Sequence, residues 1–284
     1  MVEAVSPVVR GRRLAAALRG LRLASGRTIE EVAVHLECSA AKISRIENGL
    51  VNVRIQDARE LLDLYGVQSA DREDLLDLVR QAKGRGWWHP YADLMADGFD
   101  RVIGFEAEAT TIRMLDARLI PGLLQTRQYA TALMSSRRDV SAATIERLVR
   151  LRMERQSVLH RADAPWFHLL LDEAALRRRI GPPSVMRHQY SRLIDEAGTA
   201  ALTLQVLPLT AEPHQAPGYS FTIFGFGDPA DPEVVFEERL EGTSFEESVE
   251  TVGRYRVAFE HAASCALDPA ASLDFLAEIA EGCR

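Results

Sequence analysis

The sequence predicts two domains of different class. Residues 1–83 read as an all-α bundle, and residues 84–284 as an α+β domain with a mostly antiparallel sheet. Residues 8–82 carry apolar side chains at helical spacing throughout. Glycines 84 and 86 then break that pattern, and four later runs rich in β-branched or aromatic residues read as strands. A chain of 284 residues is also longer than one compact core usually needs.

Each element has its own local cause. Leu14, Leu18 and Leu21 share one helical face, and Ser25-Gly26 ends that first helix. Thr28 caps TIEEVAVHL, and Glu31 three residues on completes a capping box. The break Glu37-Cys38-Ser39 leads into AAKISRIEN, which Ser39 caps and Gly49 stops. RIQDARELLDLYG, with Leu61, Leu62 and Tyr65 turned inward, and DREDLLDLVRQAK complete five short helices. Beyond Trp87-Trp88, residues 100–135 and 141–162 read as largely helical. Strands are expected at 166–171, 202–207, 219–226 and 234–239, and two helices at roughly 246–265 and 269–281 close the chain. Helices and strands in separate blocks imply the α+β class.

Composition narrows the setting. At 47% hydrophobic and 26% charged, the chain has the make-up of a soluble globular protein rather than a disordered or fibrous one. No apolar run reaches the roughly 18 residues of a membrane span, and MVEAVSPVVRGRR lacks the apolar stretch of a secretory signal. Cys38, Cys265 and Cys283 lie far apart, which argues against disulfides or a zinc site. A cytoplasmic location without a membrane partner is therefore expected. The net charge of −7 conceals an asymmetry. Residues 1–86 hold 14 basic and 12 acidic side chains against 20 and 29 in the remainder, a basic head on an acidic body.

Residues 28–49, TIEEVAVHLECSAAKISRIENG, carry the most information. Helix, three-residue turn, helix is the geometry that seats a second helix in the major groove of double-stranded DNA. Ala33 is small enough to let the two helices cross closely, above Val32, Leu36, Ile43 and Ile46. The exposed face of the second helix is left with Ala40, Ala41, Lys42, Ser44, Arg45 and Asn48. Arginine can bond guanine through two donors, and an alanine methyl can touch a thymine methyl. Periodicity alone also fits a plain helical bundle whose Lys42 and Arg45 are merely solvated.

The string S-x-x-x-I-S-R-I-E-N-G separates the two readings. Residues 10–67 resemble the helix-turn-helix of the Xre family, of lambda-repressor-like fold, so the first domain is expected to be an all-α helix-turn-helix bundle. The resemblance implies an ion pair between Arg22 and Glu47 and a phosphate contact from Asn48. It departs at the turn, where the family's usual glycine is Glu37. The resemblance continues through GWWHPYADL, IGFEAEATTIRMLDARLIPGLLQTRQYATALM, IERLVRLRMERQSVLHR, LLLDEAALRR and LTLQVLPL. These resemble the C-terminal domain of actinobacterial Xre regulators, WhiJ-like proteins among them, a domain of unknown function.

Candidate sites in that domain stay open between two readings each. Leu171-Asp172-Glu173 near His168 reads as a helix cap beside a core histidine rather than a catalytic pair, and no GxSxG, HExxH or P-loop string is present. Trp87 and Trp88 read either as linker packing or as the wall of a ligand or partner site. Arg147, Arg150, Arg152, Arg155 and Arg161 read either as a solvated face or as a surface for an acidic partner.

The expectation that results is a sequence-specific DNA-binding transcriptional regulator, not an enzyme, with no cofactor and no metal. Ser39 starts the recognition helix, whose Ala40, Ala41, Lys42, Ser44 and Arg45 face the bases, while Thr28, Asn48 and Arg54 hold phosphates. One such domain has a small footprint, so a homodimer is expected, with the C-terminal domain supplying dimerisation and signal or partner input. The resemblance adds a small partner protein encoded nearby. The alternative is an antitoxin-like protein-binding module that uses DNA binding for autoregulation.

Overall fold

The computed structural model describes residues 6–228, 231–240 and 242–283, and the chain divides into compact units at 1–89 and 90–284. The first unit contains α1 (Pro7–Ala24), α2 (Ile29–His35), α3 (Ala40–Glu47), α4 (Ile55–Leu64) and α5 (Ser69–Ala82). Their apolar faces meet in one core, built on Leu14, Leu18, Val32, Ile43, Ile46, Leu61, Leu62 and Val79. Tyr65 closes its edge and is half-buried. Gly49 (φ 66°) stops α3 in the left-handed conformation that glycine adopts without steric cost.

The second unit is a six-stranded sheet with helices on its faces, in the order β3-β2-β1-β4-β5-β6. The strands are β1 (Thr111–Asp116), β2 (Trp166–Asp172), β3 (Leu202–Leu207), β4 (Phe221–Gly225), β5 (Val234–Arg239) and β6 (Gly242–Glu246). β1 pairs β2, and β2 pairs β3, in parallel. The three other pairings are antiparallel, so the sheet is mixed and mostly antiparallel. Parallel neighbours need long crossovers. The chain provides them as α7 (Arg127–Met134) and α8 (Ala142–Arg155), then α9 (Glu173–Arg177) and α10 (Pro183–Ala197). The unit opens with α6 (Phe99–Glu108) and closes with α11 (Val249–Cys265) and α12 (Pro269–Gly282).

Two expectations need correction. Residues 100–135 are not largely helical, because Thr111–Asp116 is a central strand between β2 and β4. Met114, Leu115 and Arg113 favour helix locally, and burial between two partner strands outweighs that preference. Nor are helices and strands segregated: the first three strands alternate with helices, and only β4–β6 follow one another directly.

Alternation along the strands assigns the two faces of the sheet. Leu115, Leu170, Phe221, Ile223 and Val235 meet Phe259 and Ala262 of α11 on one face. The neighbouring residues Ile112, Met114, Thr222, Phe224 and Phe236 point the other way, where Phe105 of α6 stacks near the Phe224 ring.

Candidate nucleic-acid interface

The helix pair α2–α3 is built by two caps. Thr28 Oγ1 accepts from the Glu31 amide (3.2 Å) while the Thr28 amide donates to Glu31 Oε2 (2.9 Å). Ser39 Oγ accepts from the Lys42 amide at 3.2 Å. Each cap satisfies amides that the first turn of a helix leaves without partners. Between them Glu37 takes φ 46°, the only positive value at a non-glycine among the described residues. An L-residue there costs about 1–2 kcal/mol. Glu37→Gly should therefore raise the melting temperature of the N-terminal unit by a few degrees, and Glu37→Val should lower it. Thermal unfolding of the two variants checks both signs, and equal melting of all three proteins would show that the turn is unstrained.

An ion pair fixes α3 against α1. Arg22 donates from Nε and Nη2 to the two carboxylate oxygens of Glu47, at 2.7 and 2.9 Å, and from Nη1 to the Arg27 carbonyl at 2.9 Å. The side chains are only 9% and 5% exposed. The hydrogen bond to Glu47 raises the arginine's pKa further. Burial and the nearby Glu47 charge push the Tyr65 hydroxyl up to about 12.

The rest of α3 divides by exposure. Ile43 and Ile46 are buried, Ala40 is half-buried against the core, and Ala41, Arg45 and Asn48 are exposed. Arg45 and, at the N-terminus of α4, Arg54 make no side-chain hydrogen bond or ion pair among the described residues. Two polar groups are engaged within the fold. Lys42 Nζ donates to Asp57 Oδ2 of α4 at 2.6 Å. Asn48 Nδ2 donates to the Ser44 carbonyl (2.8 Å) and to Ser44 Oγ (3.3 Å). Asp57 lies 15 residues from Lys42, so no local signal marks the contact.

The remaining candidates fall elsewhere. Trp88 is buried and Trp87 half-exposed, their rings edge to face with centroids 5.9 Å apart. Asp172 Oδ1 accepts from the Ala174 amide and caps α9, while Glu173 bonds Arg177 and the Leu209 amide. His168 contacts Gln205 Oε1 at 2.8 Å, and burial lowers its pKa. The basic run along α8 and just beyond it is only partly the surface that either reading requires. Arg147 pairs with Asp93, Arg155 with Glu106, Arg152 bonds Gln125, and Arg161 bonds the carbonyls of Ala107 and Ala109. Arg150 is exposed and Arg147 pairs at the surface, while Arg152, Arg155 and Arg161 are part-buried and tie elements of this unit together.

Among the described residues no cluster of three or more His, Cys, Asp or Glu side chains could hold a metal ion, and no helix is long and apolar enough to cross a membrane. A family model described as a helix-turn-helix domain matches residues 13–75, which covers the α2–α3 pair. A second, described as a domain of unknown function (DUF5753), matches residues 99–278, more than half of the chain. The chain belongs to the DUF5753 family. No curated protein and no solved structure matches it. In this DUF5753 protein the helix-turn-helix domain is the DNA-binding part and points to transcription regulation. The family's description assigns no chemistry to the second unit.

Proposed function

We propose that this protein is a sequence-specific transcriptional regulator of the Xre type, related to the actinobacterial WhiJ-like proteins, acting in the cytoplasm as a homodimer and without catalysis. The observation that carries the reading is the exposed, uncommitted Arg45 on a helix capped by Ser39 and held in place by the buried Arg22–Glu47 pair. α3 enters the major groove, with Arg45 bonding a base edge and the Ala41 methyl alongside. Ser44 and Lys42 flank them. Lys42 reaches DNA by leaving Asp57, a surface pair worth only about 0–1 kcal/mol. Ala40 contributes through its exposed edge and Ser39 through the helix start. Thr28, Arg54 and Asn48 hold phosphates, Asn48 by exchanging its bonds to Ser44. The C-terminal domain supplies dimerisation and takes the regulatory input, from a small molecule or from a small partner protein encoded nearby.

The test is a fixed-salt titration of full-length variants on a duplex selected by the native protein and on a scrambled duplex. Arg45→Ala should lose about 1–3 kcal/mol on the selected duplex and relax preference at one base pair. Arg54→Ala should weaken both duplexes by similar factors, because phosphate contacts carry no sequence information. If Arg45→Ala weakens both duplexes equally, Arg45 is a phosphate contact. If neither variant changes binding, α3 does not lie in the groove.

A further inference from the structure

A cavity of about 440 Å³ lies within the C-terminal unit, between the sheet face that carries Met114 and the helix α8. That is the size of a small-molecule site, about 300–1,000 Å³. Its apolar walls include Met114 and Phe236 on the sheet, Leu148 and Leu151 on α8, and Phe99. A void of this size with such walls would favour an apolar occupant.

Arg152, on the same wall, asks for something more. Its Nη1 donates to Gln125 Oε1 at 2.6 Å, and Gln125 is itself buried, with Nε2 donating to the Ile120 carbonyl at 2.7 Å. The amide oxygen is thus fixed towards the guanidinium, but an amide brings no counter-charge. Among the described residues no carboxylate forms an ion pair with Arg152. Its neighbour Arg155 spends Nε and Nη2 on Glu106, at 2.6 and 2.7 Å, so that carboxylate is already taken. Burial and the Arg155 charge pull the Arg152 pKa down to about 10. Glu238 and Glu106 act on this desolvated cation only through space, and a cation that no carboxylate pairs with directly is costly to maintain. Gly122 leaves both guanidiniums uncovered: a Cβ there would stand 3.5 Å from Arg152 Nε and 3.5 Å from Arg155 Nη1.

The other charged groups of the cavity limit the charge of the anion. Asp116 faces it with a carboxyl that burial pushes up, while its Oδ1 accepts from the amides of Arg118 and Leu119 and from Ser220 Oγ. Glu238 adds a carboxylate, and Arg118 and Arg137 add cations. Four arginines face two carboxyls around the cavity, with Glu106 neutralising one arginine from outside it. One negative charge is accommodated more easily than two, and the planar fork of a guanidinium matches a carboxylate.

We propose that this cavity binds a small amphipathic carboxylate, its head on Arg152 and its hydrocarbon body against Met114, Leu148, Leu151 and Phe236. This deepens the regulatory role proposed above for the C-terminal domain. Its test contains no DNA, so a failure here leaves the DNA-binding reading untouched, and the reverse.

The experiment is isothermal titration of the full chain with octanoate, octanol and octylamine. Octanoate should bind saturably at one per chain, with octanol and octylamine at least tenfold weaker. Arg152→Met, with an unchanged circular dichroism spectrum, should weaken octanoate at least tenfold and leave octanol unaffected. Should Arg152→Met fail to fold, Gly122→Ala provides the second reading. It keeps the arginine, sets a methyl against its Nε, and should weaken octanoate several-fold. Absence of saturable octanoate binding, equal binding of octanoate and octanol, or full affinity in a folded Arg152→Met or Gly122→Ala would each overturn the proposal.

Discussion

Glu47→Ala is expected to destabilise the N-terminal unit by about 3–5 kcal/mol, the cost of stranding a buried charge whose partner is removed. The guanidinium of Arg22 would lose both carboxylate bonds while keeping only its Nη1 bond to the Arg27 carbonyl. With side chains 9% and 5% exposed, water reaches the pair poorly and compensates little. Arg22→Met in the same protein removes the stranded cation, so the double variant should recover a large part of the loss. Urea unfolding of the wild type, the two single variants and the double variant measures the coupling. Strictly additive losses would show that the two residues do not stabilise each other. The loss should reach DNA binding only through the unfolded fraction, since neither side chain is on the exposed face of α3.

This pair also shows why the first unit was legible in the sequence and the second only in part. The caps at Thr28 and Ser39 are set by residues three positions away, so spacing alone reveals them. The core positions of α1–α4 recur at helical spacing for the same reason. Arg22 and Glu47 lie 25 residues apart, and only the resemblance to a known helix-turn-helix joined them. In the second unit the decisive contacts are longer still. Strand β1 is made by its neighbours: Ile112 registers with Phe167 on one side and Phe224 on the other, while its own residues also suit a helix. Likewise β6, Gly-Thr-Ser-Phe-Glu, has no run of β-branched residues and exists through its pairing with β5. The arginines of α8 read as a solvated face or a partner surface because the groups they bond, Asp93, Glu106 and Gln125, sit 27 to 54 residues upstream. Charge spacing on a helix cannot tell an arginine facing water from one facing a buried carboxylate.

Glu106→Ala is expected to cost the C-terminal unit a similar amount, about 3–5 kcal/mol. Glu106 is 2% exposed and receives Nε and Nη2 of Arg155, whose side chain is 10% exposed. Removing it leaves Arg155 beside Arg152 with no carboxylate paired to either, so two guanidiniums repel across a poorly hydrated gap. The cation–π contact of Arg155 over the Phe99 ring, at 5.1 Å from its centroid, is too weak to replace the carboxylate at about 0.5–2 kcal/mol. Glu106→Gln keeps an acceptor but not the charge, so it should fall between wild type and Glu106→Ala. Arg155→Met alone strands the carboxylate and should also destabilise. The double variant Glu106→Ala, Arg155→Met replaces the pair with apolar volume and should lie closer to wild type than either single variant. Scanning calorimetry of the full chain, with the N-terminal transition assigned as the one that Glu47→Ala shifts, gives the ordering. A Glu106→Ala protein that melts like wild type would mean that Arg155 finds another partner, and the charge balance around Arg152 would then differ from the one described.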